Sequence, residues 1–391
     1  MIVDNTKIND VTSIAIKAFR LNKDASRVVL MNIQRNFSLL QARGVMNVKV
    51  MDFCGTHEWA ITYYGIRSLM PKGVELIAGP GCPVCITPAT FVEEAIKLAL
   101  DGIRVYVFGD AYKLPSTSLK KPRSLFEAAA MGANVKVVYG FLDAVKDAKE
   151  YGKEALFLGI GFETTAPSYA IPFKHGIVPK NLKFLSALRL TPPIMRHALD
   201  INMKKYPTHK FGVIAPGHVS TVIGASAWEF LPREYKIPTV VAGFEPLDLL
   251  IAIEKILEMM VNERPGIFNE YARSVTWEGN IYAKKAIEEV FEVVDAAWRG
   301  IGVVPKSGLA LSEKFKEWDA VREYGIKEDI QRAITDPPGC RCGEVSLGLI
   351  PPTQCPMFMK VCTPERPYGP CMVSEEGTCR IWALYGGYAE L

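Results

Sequence analysis

Val48-Lys-Val-Met-Asp-Phe-Cys54-Gly-Thr-His-Glu-Trp59 is the stretch on which the fold turns. Residues 48–53 are short and apolar and read as a strand, which hands Cys54 and Gly55 to a turn before a helical stretch begins. From there the pattern repeats. Strands of the buried type at 75–78, 104–108, 135–139, 155–160, 184–188, 211–215 and 239–242 alternate with helical segments, which predicts parallel sheets covered on both faces. Upstream, residues 11–43 carry apolar positions at three- and four-residue spacing (Ile14, Ala18, Val28, Met31, Phe37, Leu40) and predict one or two helices ending near Gly44. A polar helical segment at 142–151 places a boundary between two α/β units, 45–150 and 151–250. Further helices are predicted at 247–261 and 283–294. From Asp336 onward Pro, Gly and Cys dominate and periodicity ends, so this tail needs staples, and its cysteines are the available ones.

The chain has 391 residues, enough for two or three domains at about 150 each. Apolar residues at 49% and charged residues at 23% exclude a disordered or collagen-like chain. The net charge of +4 is spread along the chain without basic blocks, so nucleic acid is not an expected partner. Apolar stretches such as 95–100 and 249–253 are far shorter than the roughly 20 residues of a bilayer span. No membrane role is expected. Asp4, Lys7 and Asp10 interrupt any signal-peptide apolar region, which predicts a cytoplasmic protein without a disulfide scaffold. Nine cysteines then ask for redox or metal chemistry, above all because six fall between Cys340 and Cys379.

In such sheets ligands gather at the carboxyl ends of strands, and almost every unusual motif falls there. Cys54, at a helix start beside His57, is expected to have a lowered pKa and to suit a soft metal, facing the crevice rather than the tail; the alternative is a buried cysteine packing as a small hydrophobe. Cys82 and Cys85 are spaced as a redox pair or half a metal site, and a reversible dithiol is favoured because no other Cys-x-x-Cys occurs. The segment 159–167 places Glu163, Thr164 and Thr165 on the rim, its glycines suggesting close backbone approach; it lacks a dinucleotide fingerprint, and Thr164 or Thr165 could simply cap a helix. His218 repeats the geometry with an imidazole, with a structural histidine as the alternative. No histidine follows His218, so a tail metal would be held by thiolates alone, as zinc or an iron–sulfur cluster. Spacing by itself leaves the four ligands, and the choice between zinc and iron, open.

Taken together, Cys54-Gly-Thr-His-Glu, Gly79-Pro-Gly-Cys-Pro-Val-Cys85, Gly161-Phe-Glu-Thr-Thr-Ala-Pro167 and Pro216-Gly-His-Val219 resemble the signature blocks of the HypD family of [NiFe]-hydrogenase maturation proteins. The resemblance runs from about residue 45 to the C-terminus, and the first residues, to about 20, look like an extension. It implies two Rossmann-like α/β domains plus a cysteine-rich iron–sulfur domain combining both chain ends, 1–44 and 251–391. With fourteen, six and sixteen residues between them, Cys340, Cys355, Cys362 and Cys379 fit the family's [4Fe–4S] ligand spacing. Cys342 and Cys371 would then form a redox disulfide, in an arrangement like that of ferredoxin:thioredoxin reductase. The implied function is assembly of the Fe(CN)2CO unit of the hydrogenase active site with HypC and HypE, and indirectly with HypF and the hydrogenase large subunit. Cys54 would be the transient iron ligand, His57 its neighbour, and Cys82 with Cys85 a nearby dithiol. A stand-alone iron–sulfur thiol oxidoreductase acting on a small molecule, and a structural zinc protein, are the rival readings.

Overall fold

The computed structural model describes residues 23–118, 120–326 and 329–386. Ile14, Ala18 and the N-terminal extension lie outside the described residues. Helix α1 spans Lys23–Ala42 and buries Ile33, Phe37 and Leu40, whose spacing of four and three puts them on one face. Val28 and Met31, expected on that face, lie off it and are exposed. The helix stops where Gly44 takes a positive φ of 83°, as a C-terminal glycine does at little steric cost.

All eight predicted strands form: β1 (Val48–Asp52), β2 (Val74–Ala78), β3 (Arg104–Phe108), β4 (Val135–Val138), β5 (Ala155–Gly161), β6 (Leu182–Arg189), β7 (Lys210–Pro216) and β8 (Thr239–Ala242). The first sheet has the order β2-β1-β7-β8-β9, with β9 at Ile267–Asn269, and is parallel throughout. The second has the order β10-β11-β6-β5-β3-β4. Its β6, β5, β3 and β4 are parallel, whereas β10 (Phe291–Trp298) and β11 (Gly302–Leu311) form an antiparallel hairpin at its edge.

Two expectations differ from this topology. The boundary placed near 150 runs through the second sheet, between β4 and β5, because the chain leaves the first sheet after β2 and returns at β7. Local patterning marks a strand but not the sheet it joins, which depends on crossovers of long reach. The helix expected over 283–294 ends at Val290, where β10 begins.

The helices that position the motifs are α2 (Gly55–Tyr63), α3 (Ala89–Leu100), α4 (Phe141–Tyr151), α5 (Ala166–Lys174), α6 (Thr191–Lys205), α7 (Gly217–Ile223), α8 (Pro246–Val261), α9 (Ile281–Val290) and α10 (Thr378–Tyr385). The buried face of α1 joins Val50, Leu249, Ile253 and Ile256 over the first sheet. It packs on α8, which runs into the 251–391 stretch with which the resemblance grouped it, while none of its residues is in the cysteine nucleus. Among the described residues no helix is long and apolar enough to cross a membrane.

Candidate functional site

The order of strand addition reverses at β1, whose parallel neighbours β2 and β7 lie on opposite sides of it; a crevice opens at the carboxyl ends of strands at such a switch point. The second sheet has its own switch point between β3 and β5. Cys54 leaves β1 in an extended conformation and precedes α2, its amide donating to Asp52 Oδ1 at 3.1 Å. The amides of Thr56 and His57 favour a thiolate, as a helix start should, yet burial dominates and, with Glu376 alongside, pushes the Cys54 thiol up to about 12. The expected lowering of this pKa is thus reversed. Cys54 is therefore held as a thiol, and a metal binding there would have to displace that proton.

Two glycines close this site. A Cβ on Gly81 would lie 2.7 Å from the Cys54 nitrogen, so the 79–85 loop rests directly on the cysteine backbone. A Cβ on Gly55 would lie 2.5 Å from Cβ of Glu376, so the tail does the same from the other side. The resulting cleft is lined by Asp52, Cys54, Glu58, Cys82, Cys371 and Glu376, among others. Cys54 therefore faces the tail, against the expectation that it would point away from it. Glu58 holds the arrangement from below: buried, it accepts from Arg67 Nη2 and from Trp382 Nε1, each at 2.6 Å, which ties α2 to α10. A second tie reaches the other sheet, where Asp110, just after β3, accepts from Ser374 Oγ at 3.2 Å and the Glu375 amide at 3.3 Å.

Cys82 and Cys85 are joined by a disulfide and packed in one apolar nucleus with Cys342, Cys355, Cys362, Cys371 and Cys379. Cys342 and Cys371, expected as a disulfide, are adjacent free thiols. The Cys371 amide donates to Cys342 Sγ and the Cys379 amide to Cys371 Sγ, each at 3.2 Å. Hydrogen bonds from Cys342 and Cys379 draw the Cys371 thiol down, toward the thiolate. Cys362 Sγ accepts from the amides of Tyr368 and Gly369, both at 3.4 Å. A Cβ on Gly369 would lie 2.6 Å from Cys340 Sγ and 3.4 Å from Cys342 Sγ, which shows how tightly the sulfurs crowd.

The remaining motif residues do not line the cleft. His57 is fully buried and turned to the far side, with Nε2 3.2 Å from the Ala242 carbonyl, Nδ1 without a hydrogen-bond partner among the described residues, and its ring 5.0 Å from that of Phe244. Burial lowers its pKa to about 4, so the imidazole is neutral. His218 is exposed and stacks on the same Phe244 at 4.0 Å. Glu163 is buried at the second switch point, where it accepts from the Thr191 amide and Thr191 Oγ1, both at 2.7 Å; burial raises it to about 7. Thr164 is exposed, and Thr165 precedes α5 without a side-chain capping bond. Close backbone approach holds for both glycines here: a Cβ would lie 2.2 Å from the Phe184 ring at Gly159 and 2.6 Å from Thr165 at Gly161. Sequence reasoning missed Asp52, Glu376 and Asp110, which nothing in their local patterns marks, and left Glu58 without a role although it sits inside a quoted motif.

The family described as HypD, hydrogenase formation hypA family, matches residues 29–386. A protein of Methanocaldococcus jannaschii named for hydrogenase expression and formation is 42% identical over 348 residues, covering 88% of this chain and 94% of the relative. The hydrogenase maturation factor HypD of Cupriavidus necator is 38% identical over 359 residues, covering 90% and 93%. That of Rhodobacter capsulatus is 38% identical over 367 residues, covering 92% and 95%. With its motifs gathered at the two switch points and this match along most of its length, the chain belongs to the HypD family of hydrogenase maturation factors.

Proposed function

We propose that this chain is the scaffold on which the Fe(CN)2CO unit of the [NiFe]-hydrogenase active site is assembled, working in the cytoplasm with HypC and HypE. HypF would act indirectly, upstream, and the hydrogenase large subunit would receive the product. One observation carries this reading: Cys54, Cys82 and Cys371 line the same cleft. The iron unit is cargo, and a soft thiolate is the donor it calls for. Cys54 would supply one, and a thiolate from HypC would complete the grip between two chains. His57 and His218, set off the cleft and both against Phe244, would shape the strand ends rather than bind iron, and Glu163 with Thr164 would belong to the same supporting layer.

The tail suits a [4Fe–4S] cluster by its donor set: buried thiols with amide hydrogens directed at their sulfurs, which offset thiolate charge. Among the described residues no three His, Cys, Asp or Glu side chains gather about a single ion position, whereas in such a cluster each thiolate binds a different iron. Cys340, Cys355, Cys362 and Cys379 would hold the cluster, which would supply electrons one at a time. Cys342 and Cys371, between that site and the cleft, would relay reducing equivalents toward Cys82 and Cys85. Seven free cysteines suit a reducing compartment.

The test is infrared spectroscopy of the anaerobic complex with HypC. Bands of iron-bound cyanide and carbonyl are expected, and Cys54→Ala should remove them while the iron of the tail stays in place. Full retention of the bands in Cys54→Ala overturns the assignment and moves the ligand to Cys82 or Cys85.

A further inference from the structure

Arg299 sits at the tip of the β10–β11 hairpin, fully buried, where four parts of the chain meet. Its amide donates to the Ile86 carbonyl just beyond the Cys82–Cys85 loop, and its Nη1 donates to the Pro115 carbonyl in the segment after β3. The next residue, Gly300, is pressed against the residue after Cys342: a Cβ on Gly343 would lie 1.8 Å from the Gly300 carbonyl oxygen. Asp336 spans the same contact, with Oδ2 accepting from the Gly343 amide at 2.9 Å and Oδ1 3.9 Å from Arg299 Nε. That 3.9 Å separation is an ion pair without a hydrogen bond. Nε and Nη2 of Arg299 and Oδ1 of Asp336 have no hydrogen-bond partner among the described residues. The groups whose ionisation would bear on the guanidinium are Asp336, Cys342, Cys340 and Glu93, and both cysteines are free thiols whose ionisation their surroundings oppose. Glu93 is already held by Arg332.

An arginine keeps its proton in a protein, and a buried cation with unused donors is costly unless negative charge stands nearby. One carboxylate at 3.9 Å is a partial match. The charge that would complete it is thiolate, formed at these cysteines when metal displaces their protons. We propose that Arg299 is a positioning residue for the redox sulfurs of the tail, a fixed counter-cation that stabilises negative charge at Cys340 and Cys342 and so raises the potential at which the tail accepts electrons. The inference rests on the iron–sulfur reading above. Reduction adds an electron to the tail and brings no cation with it, so a permanent positive charge favours the reduced form. Asp336 acts against it, and the two together set the balance.

Three variants of the full chain, prepared without oxygen, test this by iron content and then by midpoint potential in an optical or paramagnetic-resonance titration. Arg299→Met keeps the stem and loses the charge; it should hold the same iron and shift the reduction equilibrium at least tenfold toward the oxidised form, about 59 mV for one electron. Arg299→Lys should recover most of that shift. Asp336→Asn, which can still accept from the Gly343 amide, should shift the potential in the opposite direction. An unchanged potential in Arg299→Met, or Arg299→Lys shifted as far as Arg299→Met, overturns the proposal. Should Arg299→Met fail to hold iron, Asp336→Asn decides, and an unchanged or lowered potential there overturns it. If the unsubstituted chain itself carries no iron, it is the iron–sulfur reading that has failed.

Discussion

Glu163 and His57 are buried ionisable groups at strand ends, one in each sheet, and acid acts on them in opposite senses. Burial raises the Glu163 carboxyl from 4.5 to about 7. Below pH 4.5 it is neutral folded and unfolded; as pH climbs toward 7 only the unfolded chain ionises, so its contribution to stability is lost over that window. Burial lowers His57 from 6.5 to about 4. Its contribution is complete above pH 6.5 and is lost as pH falls toward 4, because the unfolded chain takes up the proton first. Each is worth about 3 kcal/mol across its window. Glu163→Gln is therefore expected to make stability fall more steeply on acidification between pH 6.5 and 4.5, and His57→Gln less steeply, read from urea midpoints. Equal slopes in the two variants would show that neither group titrates as its burial requires.

At the scale of elements, what matters is how the tail docks on α2. Gly55 opens that helix, and a Cβ there would meet Cβ, Cα and the carbonyl oxygen of Glu376 at 2.9 Å or less. Backbone cannot swing aside as a side-chain end can, so Gly55→Ala should lift 374–377 off the Cys54 cleft. Alkylation of Cys54 by iodoacetamide is then expected to speed up at least tenfold while the unfolding of the sheets is little changed. A rate equal to that of the parent would mean that Glu376 is not what closes the cleft. The same docking is held by the bond from Trp382 Nε1 to Glu58, whose carboxylate would be left with a buried lone pair in Trp382→Phe. Hydrogen bonds to charged groups carry about 1.5–3 kcal/mol, and a loss of that size in thermal stability is expected, carried by the tail.

Over the whole molecule, the tail is the piece that touches both switch points, through Asp110 on one side and Gly55 on the other. The sheets have apolar cores of their own, such as Phe141, Phe157, Tyr169 and Phe184 in the second and Val50, Ile253 and Ile256 over the first. The tail's nucleus is mostly sulfur. Where metal binding supplies folding energy, removing metal unfolds the part that holds it. Chelating the iron of the proposed cluster should speed amide hydrogen exchange across 340–386 and leave β5 and β7 protected. Uniform loss of protection would show instead that the tail supports both sheets. Uniform retention would show that the thiols alone hold it.

The eight strands and the positions of the Cys54, Cys82–Cys85, Glu163 and His218 motifs were legible in the sequence because each follows from a local cause. A strand covered on both faces is a short apolar run, and the motifs follow such runs directly. The β10–β11 hairpin was not legible, since an antiparallel edge pair draws its support from a strand some ten residues on rather than from its own period. Which sheet each strand joins was decided by tertiary packing, and so was the meeting of Cys54 with Cys82 and Cys371. Even the sign of the Cys54 shift was decided there: the local helix start favours the thiolate, but desolvation comes from distant segments, with Glu376 supplied by the far end of the chain. Residue type and spacing determined which atoms could do chemistry, and long-range burial decided which of them share a cleft and in what protonation state.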